Sequence, residues 1–183
     1  LSGFFMSMRG IKADKVRLKE HRDEFEARAI TATRRLRYML GEPEFNVRSS
    51  DHKKELLYTV FGLRERNDKG RFIDQNKPKR GKNAPSAGKV PLKIAKQEHP
   101  LFKYVLNVLD DAQDSLYQIS NICDMKIFTD RFRYCYNAAG TESTRFSCKA
   151  SNFWDGTNAQ NIRETMRDWL VADPDCILMD VDY

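Results

Sequence analysis

The stretch "DKVRLKEHRDEFEARAITATRRLRYMLG", residues 14–41, decides the fold class. Leu18, Phe25, Ala29, Ala32, Leu36, Met39 and Leu40 recur at steps of three, four and seven, which is the apolar stripe of an amphipathic helix. Asp14 precedes the stripe as an N-cap and Gly41 follows it as a stop. The remaining faces carry Arg22, Arg28, Arg34, Arg35 and Arg37. At ~1.5 Å of rise per residue such a helix is roughly 40 Å long, well above the usual length. It is expected to stand out from a compact body or to brace two parts.

A second long helix is predicted over "EHPLFKYVLNVLDDAQDSLYQISNI", residues 98–122, with Leu101, Val105, Leu109, Ala112, Leu116 and Ile119 on one face. The two helices are expected to pack antiparallel. Between them, "SSDHKKELLYTVFGL" (49–63) reads as a short helix capped by Ser50 or Asp51, with Leu56, Leu57, Val60 and Phe61 inward. Residues 64–96 follow with 11 Lys+Arg against 3 Asp+Glu, punctuated by Gly, Pro, Asn and Ser. That composition predicts a mobile basic loop, either a solvated linker or a phosphate-contacting tip.

Beyond residue 126 the period changes. Phe128, Phe132, Tyr134 and Tyr136 of "IFTDRFRYCYNA" fall on one side, a strand signal. "RETMRDWLV" is a short helix or turn with Met166, Trp169 and Leu170 inward, and "ADPD" breaks it. "CILMDVDY" (176–183) alternates again, with Ile177, Met179, Val181 and Tyr183 on one face and Leu178, Asp180 and Asp182 on the other. The pattern as a whole predicts an α+β chain, helical first and stranded at its end.

Charge follows the same division. The chain of 183 residues carries a formal charge of +6. Residues 1–128 hold 26 Lys+Arg and 17 Asp+Glu, a balance of +9, while residues 129–183 hold 6 and 9, a balance of −3. A basic front and an acidic end suit a protein that grips phosphates with one part and holds cations with another. The four cysteines form no CxxC pair, which argues against zinc and for a reduced intracellular setting. His21, His52 and His99 are isolated and read as surface residues. No apolar run in these residues approaches transmembrane length and none reads as a signal peptide, so no membrane association is expected. The opening on Leu1 and the end at Tyr183 point to a piece of a longer polypeptide.

Two features could carry chemistry. Asp180 and Asp182, two apart on one strand face, offer hard oxygens to Mg²⁺. Asp-x-Asp is also the divalent-cation motif of many nucleotide-sugar glycosyltransferases, so a metal-dependent glycosyltransferase is an alternative. Upstream, "TRFSCKASNFWDGTNAQNI" gathers Arg145, Ser147, Asn158, Gln160 and Asn161 in one polar segment whose residue types reach bases and phosphates. A non-enzymatic nucleic-acid-binding module is the third reading.

The order and spacing of these pieces resemble family A DNA polymerases, the DNA polymerase I class, phage-type members included. That family carries "TGRLSS…PNLQNIP", a helix with an "R..F" pattern and a strand ending "DYSQ.E". This chain has "STRFSC", "TNAQNI" and "MRDWLVADPDCILMDVDY" in that order. Upstream, "MSMRGIKAD" resembles the family's "ME..GI.ID", "GEPEFNVRSSDHKKELLYTVFGL" its "G..FN..S..QL..LLF..LGL", and "PSAGKVPLKIAKQEHPL" its "STS..VL..L...HPL". The resemblance covers nearly the whole chain. It implies a long antiparallel helical thumb over residues 1–126, with the 64–96 loop as its basic tip, and the first strands of an antiparallel palm over 127–183.

It also implies roles. Asp182 matches the motif A aspartate, an Mg²⁺ ligand and catalytic residue of a two-metal mechanism. Tyr183 matches the residue whose backbone carbonyl is the second motif A metal contact. Asp180 matches no catalytic position. Arg145 matches the arginine that meets the primer terminus, and Ser147, Asn158, Gln160 and Asn161 match the segment lying along primer and template. Arg167 matches a basic position before motif A, where an ion pair and a substrate contact are both open. The implied partners are primer-template DNA and a deoxynucleoside triphosphate, with a processivity factor left open, in the cytoplasm of a bacterial or phage-infected cell. The implied process is DNA replication or repair.

The departures are specific. Residues 143–146 read Ser-Thr-Arg-Phe where the family has Thr-Gly-Arg-Leu, Ala159 replaces a leucine, and no proline follows Ile162. The second long helix offers Asp110, Asp111 and Asp114 where the family's thumb turns an Arg and a Lys toward DNA. The nucleotide-binding finger helix and the second catalytic carboxylate would lie beyond residue 183. The piece alone is therefore expected to bind DNA weakly at most and not to polymerise.

Overall fold

The computed structural model describes residues 8–123, 127, 129–137, 147–149, 158 and 162–179. The described chain is α+β: several helices and a small three-stranded antiparallel sheet, with a separate two-stranded ladder. It divides into two compact units. One is residues 27–115; the other joins residues 1–26 to 116–183.

Strand β1 (Ile11–Ala13) leads into α1 (Lys15–Leu40), the long helix the stripe predicts. Asp14 caps it: one carboxylate oxygen accepts from the Val16 and Arg17 backbone N–H groups at 2.9 and 3.0 Å. Those are donors the helix itself cannot satisfy. Gly41, at φ +64°, ends it. Its N–H bonds the Tyr38 carbonyl and the Glu42 N–H bonds the Arg37 carbonyl, the paired closure that a left-handed glycine permits.

In the 27–115 unit, Ala29, Ala32 and Leu36 are the buried face of α1. Helix α2 (Ser50–Lys54) is capped by Ser49, whose hydroxyl accepts from the His52 N–H; the cap thus lies one residue earlier than the sequence suggests. A π-helical turn, Glu55–Val60, follows directly. Its wider turn changes the phase of the face, so Leu56 and Leu57 are buried but Val60 is 65% exposed, against the inward expectation. Phe61 instead stacks on Phe102, centroids 4.0 Å apart.

Helix α3 (Lys89–Glu98) occupies what reads in sequence as the end of a basic loop. The rest of 64–88 is built by hydrogen bonds rather than free, with Ile73 and Ala87 buried. The second long helix starts later than expected. Pro100–Phe102 form a 3₁₀ turn and α4 spans Lys103–Gln118, continued by a π turn, Ile119–Cys123. Pro100 disfavours helical backbone at the residue before it, and His99 sits outside the helical region at φ −128° and ψ 78°. Leu101 consequently sits outside the stripe at 91% exposure, and Leu106, Leu109, Ala112 and Ser115 form the buried face.

The other unit is built around its sheet. Strands β2 (Arg131–Phe132) and β5 (Leu170–Val171) flank β1, which pairs antiparallel with both, Ile11 opposite Phe132 and Ala13 opposite Leu170. Strands β3 (Cys135–Asn137) and β4 (Ser147–Lys149) form the second ladder. Leu18, Phe25, Ile122, Phe132, Tyr134, Met166 and Trp169 share one core with Ala13, Cys148 and Ile162. Trp169 meets Phe132 edge to face, centroids 5.4 Å apart, a geometry the ring quadrupoles favour. Gly10, at φ +63°, enters this sheet where a Cβ would lie 2.5 Å from the Phe132 carbonyl oxygen, so no side chain fits there.

The strand expected over 176–183 is not formed in its described part. Cys176–Met179 is irregular, with Ile177 88% and Met179 79% exposed. An N–H bond from Cys176 to Asp173 and a positive φ at Asp175 close a turn there, and among the described residues no strand lies alongside to pair with. Alternation alone does not make a strand without a partner ladder.

Candidate nucleic-acid interface

Most residues that the resemblance assigns to the site lie outside the described residues: Asp182, Tyr183, Arg145, Gln160 and Asn161; so does Asp180 of the Asp-x-Asp alternative. Ser147 lies on β4, its backbone opposite Asn137, and Asn158 is half-buried. Arg167 follows the 3₁₀ turn Glu164–Met166, and its guanidinium Nε donates to the Ile162 carbonyl at 3.3 Å. That bond gives Arg167 a structural task at the position where a substrate contact was also open. Among the described residues no three His, Cys, Asp or Glu side chains come together as a metal site.

Two ionic clusters that sequence reading does not assign fasten Asp168 and Asp173 within their unit. In the first, the Arg131 guanidinium forks onto Asp173 at 2.7 and 2.8 Å, while its other donors reach the Arg9 and Gly10 carbonyls. Arg9 adds a 3.0 Å bond to the same carboxylate. Strand β2, the entry to β1 and the turn after β5 are thereby joined at one carboxylate. The Arg131 fork, with help from Arg9 and against the cost of burial, holds the Asp173 pKa down to about 2.

In the second cluster, Asp168 binds the His21 ring at 2.5 Å and the Arg17 Nε at 2.7 Å. Burial works against the charge on Asp168, but the bonds to His21 and Arg17 outweigh it and lower its pKa. His21 is buried, not a surface residue. The signal for it was present: the α1 stripe jumps seven residues from Leu18 to Phe25, and His21 fills the gap.

In the 27–115 unit the basic stretch sorts into two groups. Arg66 pairs with Glu98, Lys77 with Asp74, Lys79 with Glu65 and Lys96 with Asp110. Arg64 and Arg66 also lie over the Phe72 ring, 4.2 and 3.9 Å from its centroid. Lys69, Arg71, Arg80 and Lys82 are exposed and have no side-chain partner among the described residues. The acidic run of α4 is spent inside the unit: Asp110 on Lys96, and Asp111 on Arg28 at 2.6 Å. Those two carboxylates therefore oppose a polyanion less than the sequence suggests.

No protein-family model matches this chain, and no curated protein matches it. Among solved structures, the POL domain of Pol1 from M. smegmatis, determined as a complex with DNA primer-template and dNTP, matches with a TM-score of 0.61 over 90% of this chain at 16% identity. This chain spans 26% of the length of that one. The likeness establishes a fold shared with part of a DNA polymerase POL domain.

Proposed function

We propose that the intact protein is a DNA-directed DNA polymerase of family A and that these residues run from its thumb into motif A of its palm. One observation carries the reading. The fold likeness to a POL domain covers 90% of the chain, and it falls on the chain whose motifs, read without that likeness, fall in family A order. The substrates are primer-template DNA and a deoxynucleoside triphosphate, and the product is a primer longer by one nucleotide.

In this reading Asp182 and the Tyr183 carbonyl hold Mg²⁺, for which their hard oxygen donors are suited. When bound, the metal supplies charge neutralisation for the triphosphate and a lowered pKa for the primer hydroxyl. Arg145, Ser147, Asn158, Gln160 and Asn161 orient primer and template from the polar segment upstream. The Arg131–Asp173 fork anchors the turn after β5, which precedes motif A in sequence in this reading.

The test is primer extension by the parent polypeptide with and without Asp182→Ala. Loss of extension by a factor of about 10³ or more, with DNA affinity retained, is expected for a lost metal ligand, on the scale of single catalytic-group removals. Extension unchanged by D182A would overturn the assignment.

A further inference from the structure

Between the end of α1 and the π turn Glu55–Val60 lies a pocket of about 340 Å³. Leu40, Phe45, Leu56 and Val60 supply its apolar lining. Glu42, Glu55 and His52 supply the polar part. The π turn explains how Val60 comes to be there. The wider turn takes it off the buried face, and at 65% exposure it lines the pocket instead.

The wall is fixed in the empty pocket. The Phe45 N–H bonds the Glu42 carbonyl at 3.2 Å, and the Phe45 carbonyl accepts from the Arg37 Nε at 3.1 Å. His52 Nδ1 accepts from the Asn46 N–H at 3.0 Å, and the His52 ring lies tilted against Phe45, centroids 5.8 Å apart.

Charge sets this place apart from its unit. Residues 27–115 hold 19 Lys+Arg and 11 Asp+Glu, a balance of +8. The pocket reverses that sign, with two carboxylates and no Lys or Arg in its lining. Glu42 and Glu55 are exposed, and neither has a cationic partner among the described residues. Of the neighbouring cations, Lys54 pairs with Asp51, and Arg37 is bound to the Phe45 carbonyl.

We infer that this pocket docks a short basic peptide segment of a partner protein. One bulky apolar side chain seats on Leu40, Phe45, Leu56 and Val60, and a Lys or Arg on either side of it meets Glu42 and Glu55. Charge complementarity selects this occupant. The two carboxylates repel a nucleic-acid backbone and an acidic peptide alike. An uncharged apolar segment would cover them without giving them partners, which costs desolvation. Because the wall is already ordered, a short segment meets a smaller ordering cost on binding. The inference does not rest on the polymerase reading.

The probe is an immobilised library of acetylated hexapeptides built from Lys, Glu, Ser, Leu and Phe, incubated with the fluorescently labelled 183-residue chain. Bound sequences are expected to place Leu or Phe between lysines and to lack Glu. A selected peptide is then titrated by fluorescence anisotropy. Glu42→Gln combined with Glu55→Gln should weaken it about five-fold, on the scale of two exposed charge pairs. Val60→Ser should also weaken it about five-fold, through lost apolar contact. Glu24→Gln combined with Glu26→Gln removes the same charge from exposed positions that do not line the pocket. That control should change affinity by less than about two-fold, because distant exposed charges are screened.

Three outcomes would overturn the inference: no selected peptide, selection of acidic or uncharged sequences, or equal affinity in the Glu42–Glu55 variant and its control. Self-association of the unaltered chain that Val60→Ser abolishes would overturn it too, by giving the pocket to a second copy. All five substituted positions are exposed, so the pocket is tested without loosening a core. Failure of the polymerase reading would appear elsewhere, as extension indifferent to D182A, and would leave these affinities in place.

Discussion

The two units hold themselves together by different means. In the 27–115 unit most buried residues lie on helices whose apolar faces repeat every three or four positions. In the other unit the core gathers Ala13, Phe132 and Trp169 from three distant parts of the sequence, and Asp173 and Asp168 each fasten segments over a hundred residues apart. The first kind of order is local and visible in periodicity. The second exists only once the chain has closed on itself.

That contrast is sharpest at Phe132. It is fully buried between Trp169 and Tyr134, and it lies on β2, which has two residues. So short a strand is held by its side chain more than by its ladder. Phe132→Ala should cost about 3–5 kcal/mol, the range for a large aromatic deleted from a core. Both tryptophans, Trp154 and Trp169, belong to the unit of 1–26 and 116–183, so tryptophan fluorescence in urea reads it selectively. An unmoved midpoint would show that the sheet unit does not depend on its long-range core.

The helical unit offers the matching test at a smaller scale. Leu106 is fully buried on α4 and Leu101 is 91% exposed just before it. Leu106→Ala should cost about 2–5 kcal/mol, and Leu101→Ala no more than about 0.5 kcal/mol. Circular dichroism in urea measures both. Equal costs would restore the stripe through Leu101 that the sequence proposes and would deny the break at Pro100.

How much was legible follows from the same physics. Helix α1, with its Asp14 cap and Gly41 stop, was readable because each signal acts within one or two turns. The α+β class was readable from the change of period near residue 126. The π turn at Glu55–Val60 was not, because the residues there would fit an ordinary helix as well. Nor was the order of 64–88. Gly, Pro and Asn mark a loop, but two amides bonding backbone across it leave no pattern in composition. At the candidate site, Asp182, Tyr183, Arg145, Gln160 and Asn161 were named through resemblance and lie outside the described residues. The Arg131–Asp173 fork was invisible because its partners are 42 residues apart and obey no spacing rule.

The smallest expected effect is confined to acid and belongs to that fork. The carboxyl of Asp173 titrates near 2 in the folded chain, against about 3.9 when unfolded. A depressed acid contributes stability that is fully present above the unfolded value and disappears as pH falls through the folded one. The unit of 1–26 and 116–183 should therefore lose this contribution between about pH 4 and pH 2, the window set by those two values. Asp173→Asn cannot ionise, so in that variant this part of the acid dependence should be missing, while the neutral-pH midpoint should shift only slightly because the group is near the surface. Tryptophan fluorescence followed by acid titration measures both. In the 27–115 unit Asp74 is also lowered, by the Asn76 N–H and then Lys77, and it contributes in the same direction. Asp74 is present in both the Asp173→Asn variant and the unaltered chain, so the difference between their acid transitions reports Asp173. An acid transition identical in the Asp173→Asn variant and the unaltered chain would mean that the joint at Asp173 bears no weight. The sheet unit would then be held by its core alone.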